Sequence, residues 1–175
     1  MLLYAVENET SLAAAASLPG EIPADGVQHA LLRKGLALWH ELRGPRLFPS
    51  RTQLSPRALG PLLRHTVLVK VVDGGSDFQV RITGDAIAAV QDVPLQGLTT
   101  AGIDQKLPGY GALLRRFYGR ACAGRKPLAL RGMLQRATAS RGLYRELLLL
   151  PLGECDEAVD HLVTFVVYLP PQLAS

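Results

Sequence analysis

Two segments near the C-terminal end of the chain are apolar at nearly every position, and they constrain the fold more than any other feature. Residues 147–150 read LLLL, and residues 162–169 read LVTFVVYL. Continuous apolar runs of this length are typical of strands that are buried on both faces. Because antiparallel sheets usually expose one face to water, some further layer of this protein has to cover the second face.

Residues 29–43 form the most regular amphipathic helix and are the available cover. The apolar side chains of this helix share one stripe, and they are Leu31, Leu32, Leu38, Trp39 and Leu42. The stripe could pack against the sheet of the same chain or against the sheet of a second subunit. The sequence pattern does not distinguish these two arrangements. We therefore predict a sheet-covering or partner-binding helix that includes Leu31, Leu38, Trp39 and Leu42, and we expect a homodimer.

The remaining elements predict an α+β fold with a five-stranded antiparallel sheet. Residues 66–72 and 77–83 form a hairpin, in which Phe78, Val80 and Ile82 share one face and Arg81 lies on the other. A long amphipathic helix follows over residues 110–123, and three strands follow it over residues 128–137, 143–150 and 161–169. The helices between the second and third strands cover one face of the sheet. The helical segment at the N-terminal side covers the other face.

Four segments divide the chain. Residues 1–28 are predicted to be a flexible tail, residues 29–65 a helical segment with a second short helix over residues 55–64, residues 66–170 the sheet-and-helix core, and residues 171–175 a C-terminal tail. The alanine-rich stretch at residues 12–18 lacks the basic start of a signal peptide.

Composition excludes several classes of protein. With 175 residues, 48% hydrophobic and 19% charged, the chain suits one folded domain. No run approaches the roughly 18–20 apolar residues of a membrane helix. The two cysteines, Cys122 and Cys155, exclude a disulfide scaffold and favour a reducing compartment, so we expect a cytoplasmic protein.

Motifs for catalysis are missing from the sequence. It contains neither a P-loop nor a Gly-x-Ser-x-Gly nucleophile turn. His29 and His40 share a helical face, but eleven residues at ~1.5 Å per residue separate them by about 16 Å, too far to bind one metal ion. We predict a protein that is not an enzyme and has no metal site.

The order of elements and a set of motifs resemble the short single-domain PAS proteins of bacteria. The shared motifs are a tryptophan-bearing helix, a Pro-Ser-Arg turn, a Ser-Pro-Arg helix start and a strand that ends Arg-x-x-Gly. The residues that carry these motifs are Trp39, Pro49, Ser50, Arg51, Pro56, Leu63, Arg81 and Gly84. Farther along, the match continues through Gly111, Tyr144, Arg145, Pro151 and Leu152.

This resemblance implies a PAS-like fold and a sensory or regulatory function without catalysis. The signal would be a small ligand or a partner protein, and the output would be altered contacts with a signalling partner. Haem and flavin are not supported, because residues 109–124 contain no histidine and no Asn-Cys-Arg-Phe-Leu-Gln-like segment precedes the long helix. A PAS fold that binds no ligand and acts as a docking module, through residues 29–43 or through an arginine-rich face, is the alternative.

Five residues are candidates for ligand binding, and they are Arg81, Tyr118, Tyr144, Arg145 and Arg51. Each arginine either pairs with a carboxylate of the fold, such as Asp104 or Glu41 for Arg81, or anchors an acidic ligand. The two tyrosines either place hydroxyls in a pocket between the long helix and the sheet or pack as core aromatics.

A basic run gives a further, less favoured hypothesis. Residues 115–145 contain nine arginines and lysines and no acidic residue, a pattern that suits a nucleic acid or a solvated face. Few aromatic side chains interrupt this run, which argues against stacking on bases.

Overall fold

The computed structural model describes residues 19–134 and 143–169, except for the side chains of Leu134, Leu143 and Tyr144. These residues form one antiparallel sheet with the strand order β1-β4-β5-β6-β2-β3. The strands are β1 (Gly20–Ile22), β2 (Thr66–Val72), β3 (Asp77–Thr83), β4 (Leu128–Leu134), β5 (Leu143–Leu152) and β6 (His161–Leu169). The mixed helix and sheet architecture is the predicted one.

Helices cover both faces of this sheet. The α-helices are α1 (Ala30–Arg43), α2 (Pro56–Leu59), α3 (Asp85–Ala88), α4 (Thr100–Lys106) and α5 (Tyr110–Gly124). Short 3-10 turns occupy Ala24–Gly26, Arg51–Gln53, Gly60–His65 and Asp73–Gly75. The face that packs against α5 is called the inner face below, and the face that packs against α1 is called the outer face.

The two apolar runs are buried on both faces, as predicted. Leu147 and Leu149 belong to the inner hydrophobic cluster. Leu148 and Leu150, which alternate with them along β5, belong to the outer cluster. Because successive side chains of a strand point to opposite faces, a strand covered on both sides needs apolar residues at every position.

The outer face is covered by α1 of the same chain. Trp39 is buried, and its indole Nε1 donates a hydrogen bond to the carbonyl of Pro151 at 2.8 Å. Gly35 lies against the ring of Phe165 so closely that a Cβ at this position would be 2.6 Å from a ring carbon. The helix packs close to the sheet because glycine is at the point of closest approach, and the cover is therefore within one chain.

The N-terminal segment differs from the prediction of a tail over residues 1–28 and of five strands. Residues 1–18 lie outside the described ranges, but Gly20–Ile22 form a sixth strand that pairs with β4. The Nε of Arg120 pairs with the carboxylate of Glu21 at 2.7 Å. A three-residue edge strand has too few residues to show the alternation by which strands are recognised in a sequence.

The predicted face of Ile82 is also wrong. Leu68 of β2 pairs with Ile82 of β3, whereas the next residue, Val69, pairs with Val80. Arg81 has no opposite residue on β2 and is the extra residue of a β-bulge. A bulge reverses the alternation beyond it. Ile82 therefore lies with Leu68 toward the outer face and is 43% exposed, whereas Val80 is buried on the inner face.

The second predicted helix, over residues 55–64, is divided. Ser55 caps α2 by accepting a hydrogen bond from the amide of Ala58. Gly60 has a φ of +49°, in the left-handed region, and a 3-10 turn, Gly60–His65, continues from it. Glycine adopts this conformation without a steric penalty, and it changes the direction of the chain here.

Candidate functional site

A cavity of about 450 Å³ lies between α5 and the inner face of the sheet. Its floor consists mainly of side chains from β2, β4, β5 and β6. Its other walls come from α5, from α3 and the segment after it, and from residues 106–108 at the end of α4, and Val80 of β3 completes the lining. The floor residues are Val67, Leu130, Arg145, Leu147, Leu149, Thr164, Val166 and Tyr168. Pockets for small molecules commonly have volumes of about 300–1,000 Å³ and mostly apolar walls.

Local structure places the wall residues. Leu114, Phe117 and Tyr118 line the cavity from successive turns of α5, at the spacing of one helical face. Opposite them, Val90, Val93 and Leu95 come from the connection between α3 and α4, which contains Pro94 and Gly97 and forms no regular element. The cavity exists because this irregular segment and α5 do not close over the inner face.

Two polar atoms in the cavity floor are buried without a hydrogen-bond partner in the described part of the chain. They are Nε of Arg145 and Oγ1 of Thr164, and the two residues are 6% and 4% exposed. Most buried polar groups in proteins are hydrogen-bonded, since an unpaired one costs about 1–3 kcal/mol. Unpaired polar atoms that line a cavity indicate where a bound molecule would make hydrogen bonds.

Tyr118 adds a phenol to the same cavity. Its ring packs edge-on against Phe78, with ring centroids 5.5 Å apart. Burial raises the pKa of Tyr118 well above its usual range; the neighbouring Tyr110 adds to this rise, and Arg145 opposes it. The phenol therefore keeps its proton at physiological pH and can donate a hydrogen bond inside the cavity.

Charged residues are few on the cavity wall. Arg145 is buried in the floor, and Lys106 and Asp92 line the wall. The remaining lining is mostly apolar. Two cations and one carboxylate give the wall a net positive charge, which favours an anionic group over a cationic one.

The five predicted ligand-binding residues lie in three places. Arg145 and Tyr118 both line the cavity. Arg81 is exposed on β3 and donates to Oε1 of Gln79 at 3.1 Å, and Arg51 is exposed in the 3-10 turn Arg51–Gln53. Neither of these two arginines lines the cavity. The side chain of Tyr144 lies outside the described residues.

The structure adds Thr164 to the residues that the sequence indicated. Thr164 interrupts the otherwise apolar run over residues 162–167 on β6, and its pairing partner on β5 is Leu149. A hydroxyl within a strand that is buried on both faces was the available signal. It was missed because threonine is common in strands and usually bonds to a neighbouring backbone group.

The apolar stripe of α1, the predicted partner-binding helix, packs against the sheet of the same chain. Trp39 is buried, and Leu31 and Leu38 are half-buried against the outer hydrophobic cluster. Leu42 is half-buried near the end of α1. Pairing of two chains through this stripe would require α1 to leave the sheet, and the homodimer stays a prediction.

On the outer face, a buried carboxylate holds the N-terminal end of α1. Oε1 of Glu146 accepts hydrogen bonds from the amides of Gln28 at 2.7 Å and His29 at 2.9 Å. Oε2 of Glu146 pairs with Arg131, whose Nε is 2.8 Å away and whose Nη2 also donates to the carbonyl of Gly26 at 3.0 Å. One side chain thus joins the sheet to the segment that precedes α1.

Several arginines of the basic run are engaged within the chain. Arg120 pairs with Glu21, and Arg131 pairs with Glu146. Arg125 donates to the backbone carbonyls of Asp156 and Glu157. These contacts favour a role in the fold over a nucleic-acid surface, since a phosphate would have to compete with the partners that these arginines already have.

The described ranges contain neither a cluster of metal ligands nor a membrane-spanning helix. Within residues 19–134 and 143–169, no three histidine, cysteine, aspartate or glutamate side chains are grouped closely enough to bind a metal ion. None of the described helices has the length and apolar character needed to cross a membrane.

Comparison with known proteins gives one family match. A family model described as "PAS domain" matches residues 27–166, a range that includes α1 and α5. A solved structure, the sensory box sensor histidine kinase from Vibrio cholerae, is similar over 63% of this chain and 88% of that chain, with 15% identity and a TM-score of 0.43. No curated protein matches the chain.

Proposed function

Because the chain belongs to the PAS domain family, a family of sensory and signalling modules, we propose that it is a non-enzymatic sensor that binds a small organic ligand. The observation that carries this proposal is the cavity of about 450 Å³ between α5 and the inner face. A closely packed interior leaves few voids larger than a water molecule, so a cavity of this size is not ordinary packing space.

Native mass spectrometry of the freshly purified full chain tests ligand binding. We expect a mass excess over the chain, either as purified or after incubation with a small-molecule extract of cells. Val90→Trp, which fills the cavity from its wall, should abolish this excess. Ala88→Trp, an exposed position at the end of α3, is the matched control and should retain it.

The result that contradicts ligand binding is a bare chain under both conditions. A mass excess that is equal in Val90→Trp and in Ala88→Trp would also contradict binding in this cavity. The same spectra report whether two chains associate, which tests the expected homodimer.

The proposed output is a change in the contacts of α1 and the segment before it with a signalling partner. Arg145 lines the cavity, while the next residue, Glu146, holds the amides of Gln28 and His29 on the outer face. A ligand that displaces β5 would therefore also move the N-terminal end of α1, because Glu146 of β5 is hydrogen-bonded directly to the residues that precede this helix.

Hydrogen exchange tests this output. Ligand binding should change the exchange rates of the Gln28 and His29 amides, whereas the amide of Leu59 in α2, which donates to the carbonyl of Ser55 at 3.0 Å, is a reference outside the route. Unchanged rates at Gln28 and His29 in the ligand-saturated protein would contradict the route through β5.

The docking-module alternative has less support. The apolar stripe of α1 is already packed on the sheet, and several arginines of the basic run are partnered within the chain.

A further inference from the structure

The two residues whose Nε and Oγ1 atoms have no hydrogen-bond partner within the described ranges, Arg145 and Thr164, lie far apart along the backbone of the cavity floor. In the register of β5 and β6, Arg145 pairs with Tyr168, and Leu149 pairs with Thr164. Arg145 and Thr164 are therefore offset along the paired strands by the four residues from 145 to 149, which is about 14 Å at ~3.4 Å per residue. A molecule that lies along the floor between these two residues has to be elongated.

The floor between these two atoms is apolar. Leu147 and Val166 pair with each other midway between the two ends, and both line the cavity. Four residues of extended backbone contain about twelve bonds, so a flexible chain of roughly that length spans the same distance. The middle of the ligand is therefore expected to be hydrocarbon.

The Arg145 end suits an anion. Arg145 is nine-tenths buried, and its Nε has no hydrogen-bond partner among the described residues. Lys106 lines the same cavity, so that the cations of its lining outnumber its one carboxylate, Asp92. A guanidinium holds a planar carboxylate with two hydrogen bonds, and such charge-assisted bonds are stronger than neutral ones. The protonated phenol of Tyr118 is a further donor in this cavity.

We propose that the ligand is an elongated amphipathic carboxylic acid, with its carboxylate on Arg145, its hydrocarbon chain over Leu147 and Val166, and a polar group near its far end on Thr164. This inference rests on the proposed ligand-binding function and names the ligand class for the same cavity. It assigns Arg145 to charge recognition and Thr164 to recognition of the far end.

Calorimetric titration of the full chain with three probes tests the proposal. The probes are decanoate, its neutral analogue methyl decanoate, and ω-hydroxydecanoate. Decanoate should bind about tenfold to a hundredfold more tightly than the methyl ester, the size expected for hydrogen bonds to a charged group. ω-Hydroxydecanoate should bind several-fold more tightly than decanoate.

Two variants assign these differences to residues. Arg145→Gln should remove the preference for decanoate over its ester, and Thr164→Val should remove only the advantage of the terminal hydroxyl. Should Arg145→Gln not fold, as judged by the fluorescence of the single tryptophan, Trp39, then Arg145→Lys keeps the charge but loses the planar fork. That variant should retain part of the preference.

The outcomes separate this inference from the proposed function. Equal affinity for decanoate and its ester overturns the acidic ligand class but leaves a ligand-binding cavity in place. A preference for decanoate that survives in Arg145→Gln overturns the assignment of the carboxylate to Arg145. Absence of binding by all three probes overturns the ligand class, and the mass excess in native mass spectrometry then decides the proposed function independently.

Discussion

Arg145 and Glu146 are consecutive residues of β5 whose buried side chains lie on opposite faces of the sheet. Arg145 lines the inner cavity, and Glu146 accepts hydrogen bonds from the amides that begin the outer helix segment. The alternation of a single strand thus connects the candidate ligand site with the candidate output surface.

Glu146 is predicted to be among the most sensitive positions for stability. Glu146→Gln removes the charge from a fully buried carboxylate and leaves Arg131, only 20% exposed, without its ion-pair partner. Breaking such a buried pair costs about 3 kcal/mol or more in free energy of unfolding. Glu154→Gln, at an exposed position, should change it by no more than about 0.5 kcal/mol. Urea denaturation measures both, and equal values would contradict the role of Glu146.

Gly35 is predicted to be required for the approach of α1 to the sheet. Gly35→Ala places a Cβ 2.6 Å from the ring of Phe165 and should destabilise the protein by about 1–3 kcal/mol. Gly119→Ala, in α5, meets nothing within 4 Å and should stabilise it by about 0.4–1 kcal/mol. Thermal unfolding of the two variants should therefore shift in opposite directions, and an unchanged or raised unfolding temperature for Gly35→Ala would show that α1 tolerates displacement.

Comparison of Thr164 with Thr66 measures the effect of an unpaired hydroxyl on the free energy of unfolding. The hydroxyl of Thr66 donates to the carbonyl of Leu62 at 2.8 Å, whereas that of Thr164 has no partner in the described part of the chain. Thr66→Val should cost about 1 kcal/mol or more of unfolding free energy. Thr164→Val should be neutral or stabilising in the ligand-free protein, and a comparable loss in both would mean that the Thr164 hydroxyl is satisfied.

Asp77 is predicted to contribute to a loss of stability in acid. Burial by itself raises the pKa of Asp77, but hydrogen bonds from the Thr100 hydroxyl, the Phe78 amide, the Thr99 side chain and the Ala101 amide together lower it. The unfolded chain then binds the proton more readily, so the contribution is present above the ordinary Asp pKa of about 3.9 and is lost as the pH falls through the lower folded value.

Denaturation of wild type and Asp77→Asn at several pH values measures this contribution. The stability difference between the two proteins should be constant near neutral pH and should shrink between about pH 4 and more acidic values. A difference that does not change over this range would contradict the lowered pKa.

The two cysteines are predicted to react at different rates. Burial raises the pKa of the Cys122 thiol to about 11, whereas Cys155 is exposed. The thiolate is the reactive form of a cysteine. A thiol-specific reagent at mildly alkaline pH should therefore modify Cys155 quickly and Cys122 slowly. Cys155→Ser should remove the fast phase, and Cys122→Ser should leave it; the reverse result would contradict the burial of Cys122.

The sequence predicted the fold better than it predicted the candidate site. The double burial of residues 147–150, the amphipathic stripe of α1 and the β2–β3 hairpin depend on local periodicity, which the sequence displays directly. The strand at Gly20–Ile22 and the bulge at Arg81 depend on pairing with distant residues. The bulge explains why Ile82 was assigned to the wrong face.

For the site, residue type suggested Arg145 and Tyr118 but did not separate them from Arg81 and Arg51. Only packing decides which arginines lie beside a void, and the void itself results from elements that fail to close over the sheet. Thr164 became informative once the surroundings of its hydroxyl were known.

The sequence by itself determined that this chain forms a sheet buried on both faces, with an amphipathic helix as its outer cover, because alternation and helical periodicity are local properties of the chain. The tertiary structure decided that the cover belongs to the same chain and that residues 20–22 complete the sheet. It also decided that a cavity remains beneath α5, lined by two polar atoms that have no partner within the described ranges. These outcomes depend on contacts between residues far apart in sequence, where shape and close approach, as at Gly35 and Phe165, select one arrangement.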